Sequence, residues 1–413
     1  MTTFPTNPDV IVVGAGAAGL SAAKALQVKG FEVVVLEADA HVGGRCITDT
    51  STFATPFDRG GSWLHCGPIN PLVPVAEQMG EDLDKARWVC NRVHTGGASL
   101  TGAEVGDYRQ YHERMWDEIR KAGKLTTDAS VASALPSSPW KDTAKHWVAQ
   151  MQGGDAEFVS VADVSQFSDA DGDWLVTGGL GAFVKRLHAD VTVHLNCPVT
   201  KVDYSSAGVR AVTPLGTISA KCIVLTVSTG VLAAETIEFS PALPEAKTSA
   251  IHQLPMGLLN KVGLEFDPGW TGARQGEMAD YTSGGDGFCT LLFGFYNTPL
   301  AVGFLAGRFA DRMENEGAGT EFCLQALRDL FGNDVVKHVR KTSETGWRAN
   351  PYTLGSYSYA SPSGAGARET LAEPIDGKVY FAGEATIPTA YATVHGAYQS
   401  GLNVAGHIAS ALR

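Results

Sequence analysis

The chain has 413 residues and a formal net charge of −12 at pH 7. Hydrophobic residues make up 44% and charged residues 18% of the sequence, a balance that excludes an intrinsically disordered chain. The net negative charge argues against a nucleic-acid partner, because binding to nucleic acid needs basic patches on the protein. The negative charge serves either solubility or the steering of cationic ligands. No uninterrupted apolar run reaches the roughly 20 residues that span a bilayer, so we predict no membrane partner.

The length favours two domains over one. Seven cysteines are scattered along the chain, and their odd number and spacing match neither a disulfide framework nor a zinc site. We interpret them as reduced thiols. Since the first residues lack a charged segment followed by an apolar run, we expect a cytoplasmic protein.

The predicted elements begin with a buried strand over residues 9–13, a run rich in β-branched residues. A glycine-rich turn follows, then an alanine-rich helix over 20–29 and a second strand over 31–36 that ends at Glu37. This order predicts one βαβ unit of parallel sheet.

The next part of the chain is more polar. We predict helices over residues 107–124 and 140–152, separated by a loop over 126–139 that is rich in serine, alanine and proline. Short strands that look like a return to the first domain are then predicted over 191–194, 199–204, 209–213 and 222–227. A strand over 261–266, a late strand over 378–382 and a helix over 396–412 complete the series.

The glycine-rich turn predicts a dinucleotide site. Gly14 permits a tight turn, Gly16 lets the backbone approach a pyrophosphate, and Gly19 allows helix and strand to pack closely. The helix N-terminus offers free N–H groups to phosphates, and Glu37 is placed to accept hydrogen bonds from ribose hydroxyls. A glycine turn that serves packing alone is the weaker alternative.

A second glycine pair, Gly43 and Gly44, precedes Arg45 just after Glu37. The planar guanidinium of Arg45 can bind two oxygens of a diphosphate at once. These residues predict a second loop that contacts phosphate, and a surface role for Arg45 is the alternative.

Four strings carry a resemblance to a known family. They are residues 14–45, the string RGGSWLHCG at 59–67, the string GLLNKV at 257–262, and a block over 346–397. On these strings the chain resembles the flavin-containing amine oxidases, a family of monoamine oxidases, polyamine oxidases and lysine-specific histone demethylases. The last block resembles the polyamine oxidase and demethylase branch more than the mitochondrial monoamine oxidases.

The resemblance implies an α/β fold with a Rossmann-like FAD-binding domain built from discontinuous segments and an α+β substrate-binding domain. We expect residues 1–80, 190–240 and 345–413 in the first domain, and 81–189 and 241–344 in the second. Ser356 stands where the mitochondrial enzymes carry the cysteine that links the flavin, and serine cannot form that thioether. The implied FAD is therefore noncovalent.

The resemblance also implies FAD contacts along the whole chain. Beyond the glycine turn, Glu37, Gly44 and Arg45, the implied contacts are Gly61, Ser62, Trp63, Val199, Trp347, Gly383, Glu384, Thr393 and Val394. Trp63 and Trp347 are candidates for packing near the flavin, although either could belong to the core.

Four residues match catalytic positions of the family. Lys261 matches the lysine that holds a water near flavin N5, and an apolar strand should lower its pKa; the alternative is a side chain that reaches solvent. Tyr357 matches one wall of the cage around the amine, and Thr393 takes the place of the second wall. His65 is either a proton acceptor for the incoming ammonium or a residue that only hydrogen-bonds the backbone.

The predicted reaction is FAD-dependent oxidation of a primary or secondary amine to an imine, with O2 reduced to H2O2 and the imine hydrolysed to an aldehyde or ketone. The alternatives are an L-amino-acid oxidase, another flavin-dependent desaturase on the same scaffold, and an inactive flavoprotein that only binds ligands. No metal is predicted, because residues 169–173 resemble a calcium loop only in part. The sequence does not distinguish a monomer from a homodimer.

Overall fold

The computed structural model describes residues 7–125 and 127–413. The strands of the predicted βαβ unit lie in a five-stranded parallel sheet. Its strand order is Val193–His194, Val33–Leu36, Val10–Val13, Cys222–Leu225 and Val379–Phe381. All four residues of Val10–Val13 are buried, as expected for a parallel strand covered on both faces. The sheet thus gathers segments that are far apart in the sequence.

Two helices pack closely against each other on one face of this sheet. The first, Ala17–Val28, is rich in alanine, and the second, Val394–Ala411, comes from the end of the described chain. A Cβ atom added at Gly401 would lie 2.1 Å from Ser21 Oγ, so glycine permits the close crossing.

A seven-stranded sheet forms the second large unit. Its strand order is Val339–Glu344, Leu259–Phe266, Leu300–Ala306, Gly287–Phe293, Glu277–Gly284, Val89–Thr95 and Ala98–Ser99. The pairs are antiparallel except that Glu277–Gly284 runs parallel to Val89–Thr95. Every residue of Gly287–Phe293 and Leu300–Ala306 is buried, so these two strands lie in the core.

Smaller sheets and helices surround these two units. The sheets are formed by Gly216–Ala220, Val209–Thr213, Lys201–Asp203 and Glu238–Ser240; by Trp63–Leu64, Trp174–Val176 and Leu83–Asp84; and by Thr48–Asp49 and Phe57–Asp58. The other α-helices are Leu72–Gln78, Gly102–Ala122, Val131–Ala134, Lys141–Gln152, Val161–Val164, Leu180–Leu187, Thr229–Ala233, Glu245–Gln253, Gly307–Glu316, Gly319–Phe331 and Ala367–Ala372. The 3-10 helices are Gly67–Ile69, Phe295–Asn297, Asn333–His338 and Glu384–Thr386.

The mixed α/β fold class is confirmed, with three local differences. Of the short strands predicted as a return to the first domain, Lys201–Asp203 and Val209–Thr213 pair in an antiparallel sheet that is separate from the parallel sheet. The loop predicted over 126–139 contains the short helix Val131–Ala134. The first residue of that predicted loop, Thr126, lies outside the described residues. The last helix begins at Val394, two residues early, because the Thr393 side chain caps it.

The predicted domain boundaries remain a prediction. Trp63–Leu64 pairs with Trp174–Val176, which joins segments assigned to different domains. Among the residues that the structure describes, no helix combines the length and the apolar character needed to cross a bilayer.

Candidate active site

A cavity of about 860 Å³ extends from the glycine-rich turn to the face of the seven-stranded sheet. At one end it is lined by the first strand, the first helix and the loop after Glu37. At the other end aromatic side chains from several elements line it, namely Trp63, Trp88, Trp116, Trp147, Phe167, Phe304, Tyr357 and Tyr391. The cavity therefore joins the predicted cofactor site to the predicted substrate site.

The glycine-rich end has the features of a phosphate cradle. The helix Ala17–Val28 has no side-chain cap at Gly16, so its first N–H groups are free to bind an anion. A Cβ atom at Gly16 would meet only one atom, Gly43 O at 3.9 Å, and would project into the cavity. Gly19 does not line the cavity; its Cβ would lie 1.9 Å from Gly14 O, so it permits close packing, the task predicted for it.

Glu37 lies buried beside this cradle. One carboxylate oxygen accepts a hydrogen bond from Ala15 N at 2.6 Å and the other from Asp39 N at 2.8 Å. Burial raises the pKa of Glu37, while these two bonds act in the opposite direction. Each oxygen keeps a lone pair that ribose hydroxyls can use, so this end of the cavity fits a dinucleotide such as FAD.

An ion pair between Arg45 and Glu384 lies on the cavity wall. Arg45 Nη1 donates to Glu384 Oε1 at 2.8 Å and to Ser356 O at 2.9 Å. Burial acts to raise the pKa of Glu384, but the charges of Arg45 and Arg368 lower it below its ordinary value. The pair holds the loop after Glu37 against the last block of the chain.

Lys261 lies in the strand Leu259–Phe266 with its ammonium at the cavity wall. Its Nζ donates to Asp58 O at 2.9 Å and to Gly60 O and Ser62 Oγ, both at 2.5 Å. Burial lowers its pKa to about 8, as expected for a lysine in an apolar strand. The alternative of a side chain that reaches solvent is wrong, because Lys261 is 3% exposed.

Tyr357 and Thr393 also line the cavity. The Tyr357 hydroxyl donates to Gln150 O at 2.5 Å, which fixes the ring, and burial raises its pKa. Thr393 Oγ1 donates to Ala390 O at 2.7 Å and accepts from Gly396 N at 3.0 Å. Its hydroxyl is thus occupied as the cap of the last helix.

His65 lies at the cavity wall on the strand Trp63–Leu64 side, beside Asp173. Its Nδ1 lies 2.9 Å from Asp173 Oδ1, which also accepts a hydrogen bond from Cys66 N at 3.3 Å. His65 thus contacts the carboxylate of Asp173, and this contact is not the backbone hydrogen bond of the alternative interpretation.

Comparison with known proteins agrees with this geometry. The family described as flavin containing amine oxidoreductase matches residues 141–409, and a NAD(P)-binding Rossmann-like domain matches residues 12–76. The chain belongs to the flavin containing amine oxidoreductase family. It is accordingly an oxidoreductase with a flavin site, and the amino-acid oxidase and desaturase alternatives are not favoured.

Similar proteins of this family include polyamine oxidases and demethylases. Polyamine oxidase 4 of Oryza sativa subsp. japonica is 31% identical over 96% of this chain and 88% of its own length. Lysine-specific histone demethylase 2 of Homo sapiens is 28% identical over 98% of this chain but only 54% of its own length. A solved putrescine oxidase double mutant covers 98% of this chain with a TM-score of 0.81 and 21% identity, a likeness in fold.

The amine oxidase cavity gathers the predicted residues from distant segments. Every predicted site residue except Gly19 lines it: Gly14, Gly16, Glu37, Gly44, Arg45, Gly61, Ser62, Trp63, His65, Val199, Lys261, Trp347, Tyr357, Gly383, Glu384, Thr393 and Val394. Trp347 also donates its indole N–H to Arg59 O at 3.2 Å. The individual roles of these residues remain predictions.

Sequence reasoning missed several polar residues of this amine oxidase. Asp173 belongs to residues 169–173, which the sequence pattern marks only as a partial match to a calcium loop, yet it faces His65. Arg368 is fully buried, pairs with both oxygens of Asp163 at 2.9 Å, and donates to Ser358 Oγ at 2.9 Å. A charged residue in a short polar helix gives no local signal of burial, because its partner lies 205 positions away.

Proposed function

We propose that this chain oxidises a primary or secondary alkyl amine to an imine, with O2 as the electron acceptor and H2O2 as the second product. The observation that carries the proposal is the position of Lys261. A buried ammonium lies in the wall of the same cavity that holds the phosphate cradle and Tyr357. A bound FAD would accept two electrons and a hydrogen from the carbon beside the amine nitrogen and pass the electrons to oxygen.

The residues of the cavity would supply binding, orientation and electrostatics. Glu37 and the free N–H groups of the first helix would hold the ribose and phosphate groups of the dinucleotide. Arg45 would contact the diphosphate, and Glu384, its ion-pair partner, would contact the FAD beside it. Tyr357 would present its ring face to the amine. Lys261 would place positive charge where oxygen gains electrons, which lowers the energy of that charge transfer.

We propose that His65 and Asp173 prepare the amine for reaction. An amine enters as an ammonium, and only the neutral form can donate electrons towards the breaking C–H bond. An imidazole oriented by a carboxylate can accept that proton, since the carboxylate stabilises the imidazolium that forms. Both side chains are partly exposed, at 38% and 54%, so the proton can pass on to water.

Two further statements are proposals of the same kind. The relatives named polyamine oxidase and the putrescine oxidase neighbour support an alkyl amine or polyamine as substrate. The seven cysteines are all free and buried, which supports a reducing compartment such as the cytoplasm.

An anaerobic amine panel tests the proposal. The purified FAD-loaded protein is mixed without oxygen with alkyl amines, diamines and the α-carboxylated analogue of one amine. We expect loss of oxidised flavin absorbance with amines, peroxide release when oxygen is admitted, and little change with the carboxylated analogue. Bleaching only by the carboxylated analogue would establish an amino-acid oxidase, and no bleaching by any amine would refute amine oxidation.

A further inference from the structure

Asp280 is a buried carboxylate whose hydrogen-bond partners among the described residues are all neutral. It lies in the strand Glu277–Gly284 and is 1% exposed. Its oxygens accept hydrogen bonds from Thr290 Oγ1 at 2.6 Å, Tyr108 OH at 2.8 Å, Trp147 Nε1 at 2.9 Å and Cys90 Sγ at 3.5 Å. These four donors are neutral, so the burial of the charge is only partly offset, and burial raises the pKa of Asp280.

Two of these donors, Thr290 and Trp147, also line the cavity. The only hydroxyl proton of Thr290 is directed at Asp280, so the lone pairs of Thr290 Oγ1 remain as acceptors. A hydrogen bond to a carboxylate polarises the donor oxygen and increases its strength as an acceptor. A cation at this wall would therefore interact with Thr290 directly and with Asp280 through it.

The register of the sheet places this wall relative to Lys261. Lys261 is opposite Phe304, Phe304 is opposite Thr290, and Thr290 is opposite Asp280. The four residues form one row across four neighbouring strands, with an ammonium at one end and a carboxylate at the other. Two strand spacings separate Lys261 from Thr290, which is roughly 10 Å. The Phe304 ring lies between them and faces the same cavity.

We infer that Thr290, backed by Asp280, binds the second, distal ammonium of a diamine or polyamine whose first amine lies at the Lys261 end of the cavity. The inference rests on the proposed amine oxidation and specifies its substrate class. The apolar Phe304 surface suits the methylene chain between the two nitrogens, and the Trp147 ring can contribute a cation–π contact. A monoamine of the same length would leave the Thr290 acceptor unused.

The experiment compares hexamethylenediamine with hexylamine, two amines of matched length, in the FAD-loaded protein. We expect wild type to favour the diamine in kcat/KM. Thr290→Val should reduce the ratio of diamine to monoamine kcat/KM by about 10-fold or more, since a hydrogen bond to a charged group is lost. Thr290→Ser keeps the hydroxyl and should keep the ratio within about twofold of wild type.

Thr282→Val is the matched control. Thr282 lies in the same strand as Asp280, is 7% exposed, and donates its hydroxyl to Thr95 Oγ1 at 2.9 Å outside the cavity lining. It should leave the ratio unchanged. Asp280→Asn removes the charge but keeps the shape, and we expect it to reduce the ratio in the same direction as Thr290→Val.

The outcomes separate this inference from the proposed function. If wild type bleaches equally well with both amines, or if Thr290→Val lowers kcat/KM for both amines by the same factor, the distal ammonium site is overturned while amine oxidation stands. If neither amine bleaches the flavin anaerobically, amine oxidation fails and the inference fails with it.

Discussion

Two lysines are buried to nearly the same degree in this protein, Lys247 at 4% exposure and Lys261 at 3%. Each directs its ammonium at three oxygen atoms, and burial lowers the pKa of each to about 8. They differ in what surrounds them. Lys247 contacts the carbonyls of Thr370, Leu371 and Glu373 at the end of the helix Ala367–Ala372, whereas Lys261 is part of the cavity wall.

This difference shows that burial and a displaced pKa do not by themselves identify a functional lysine. Lys247 satisfies the free carbonyls at a helix C-terminus, where positive charge is favourable, and its ring contact with Phe381 completes a structural site. Lys261 has one hydroxyl among its acceptors, Ser62, which also lines the cavity. Access to the cavity, rather than the pKa, makes Lys261 the candidate for chemistry.

Replacing each lysine by methionine should separate the two roles most clearly. In Lys261→Met we expect reoxidation of the reduced flavin by oxygen to slow by about 100-fold, because a preorganised charge is lost. FAD should stay bound, and anaerobic reduction by an amine should change far less. Stopped-flow absorbance of each half-reaction measures both, and Lys247→Met serves as the control with matched burial. Unchanged reoxidation in Lys261→Met would remove the proposed role.

Lys247→Met should act on stability instead. Three carbonyl oxygens would lose their donor, which we expect to lower the free energy of unfolding by about 1–3 kcal/mol. The folded pKa of about 8 lies below the ordinary 10.5, so the unfolded chain binds the proton more tightly. The contribution of Lys247 to stability therefore rises as pH increases between these values, and this rise should disappear in Lys247→Met.

Urea unfolding of both proteins at pH values from 7 to about 10 measures this effect. Reoxidation kinetics of Lys247→Met should match wild type at each pH. A large kinetic change with no loss of stability would show that the comparison between the two lysines is mistaken.

The smallest effect on reoxidation is expected from a change at Ser62, whose hydroxyl accepts a hydrogen bond from Lys261. Lys247 has only backbone carbonyls as acceptors. The rate of reoxidation should fall as pH rises through about 8, because Lys261 loses its proton there. Ser62→Ala removes one of three acceptors and disfavours the charged form, so the midpoint should move to lower pH by up to about one unit, or roughly 1 kcal/mol. A pH profile of reoxidation checks this, and a midpoint that stays in place would indicate that Ser62 does not stabilise the ammonium.

Local pattern was enough to predict the dinucleotide unit and the burial of Lys261. The turn from Gly14 to Glu37 combines its strand, glycines, helix and acidic residue within a short stretch, and Lys261 follows apolar neighbours in an evident strand. Lys247 gave no such signal, since it lies in the polar helix Glu245–Gln253 and its acceptors are more than 120 positions away.

Long-range register was the part that sequence could not supply. Asp280 and Thr290 become partners only through the pairing of their strands, and Phe304 links them to Lys261 only through two further pairings. Asp173 had the composition of a turn, and its contact with His65 depends on a loop that returns from 108 positions away. Spacing rules describe single elements, whereas these contacts depend on how elements pair.

The close crossing of Ala17–Val28 with Val394–Ala411 has a consequence for biosynthesis. During translation the first helix emerges long before its partner, and the strand Val379–Phe381 that completes the parallel sheet also arrives late. A ribosome-bound nascent chain would carry an alanine-rich surface without its cover until residue 411 has left the exit tunnel. The complete dinucleotide site therefore requires that this second helix has emerged, and chaperone protection of the uncovered surface would matter until then.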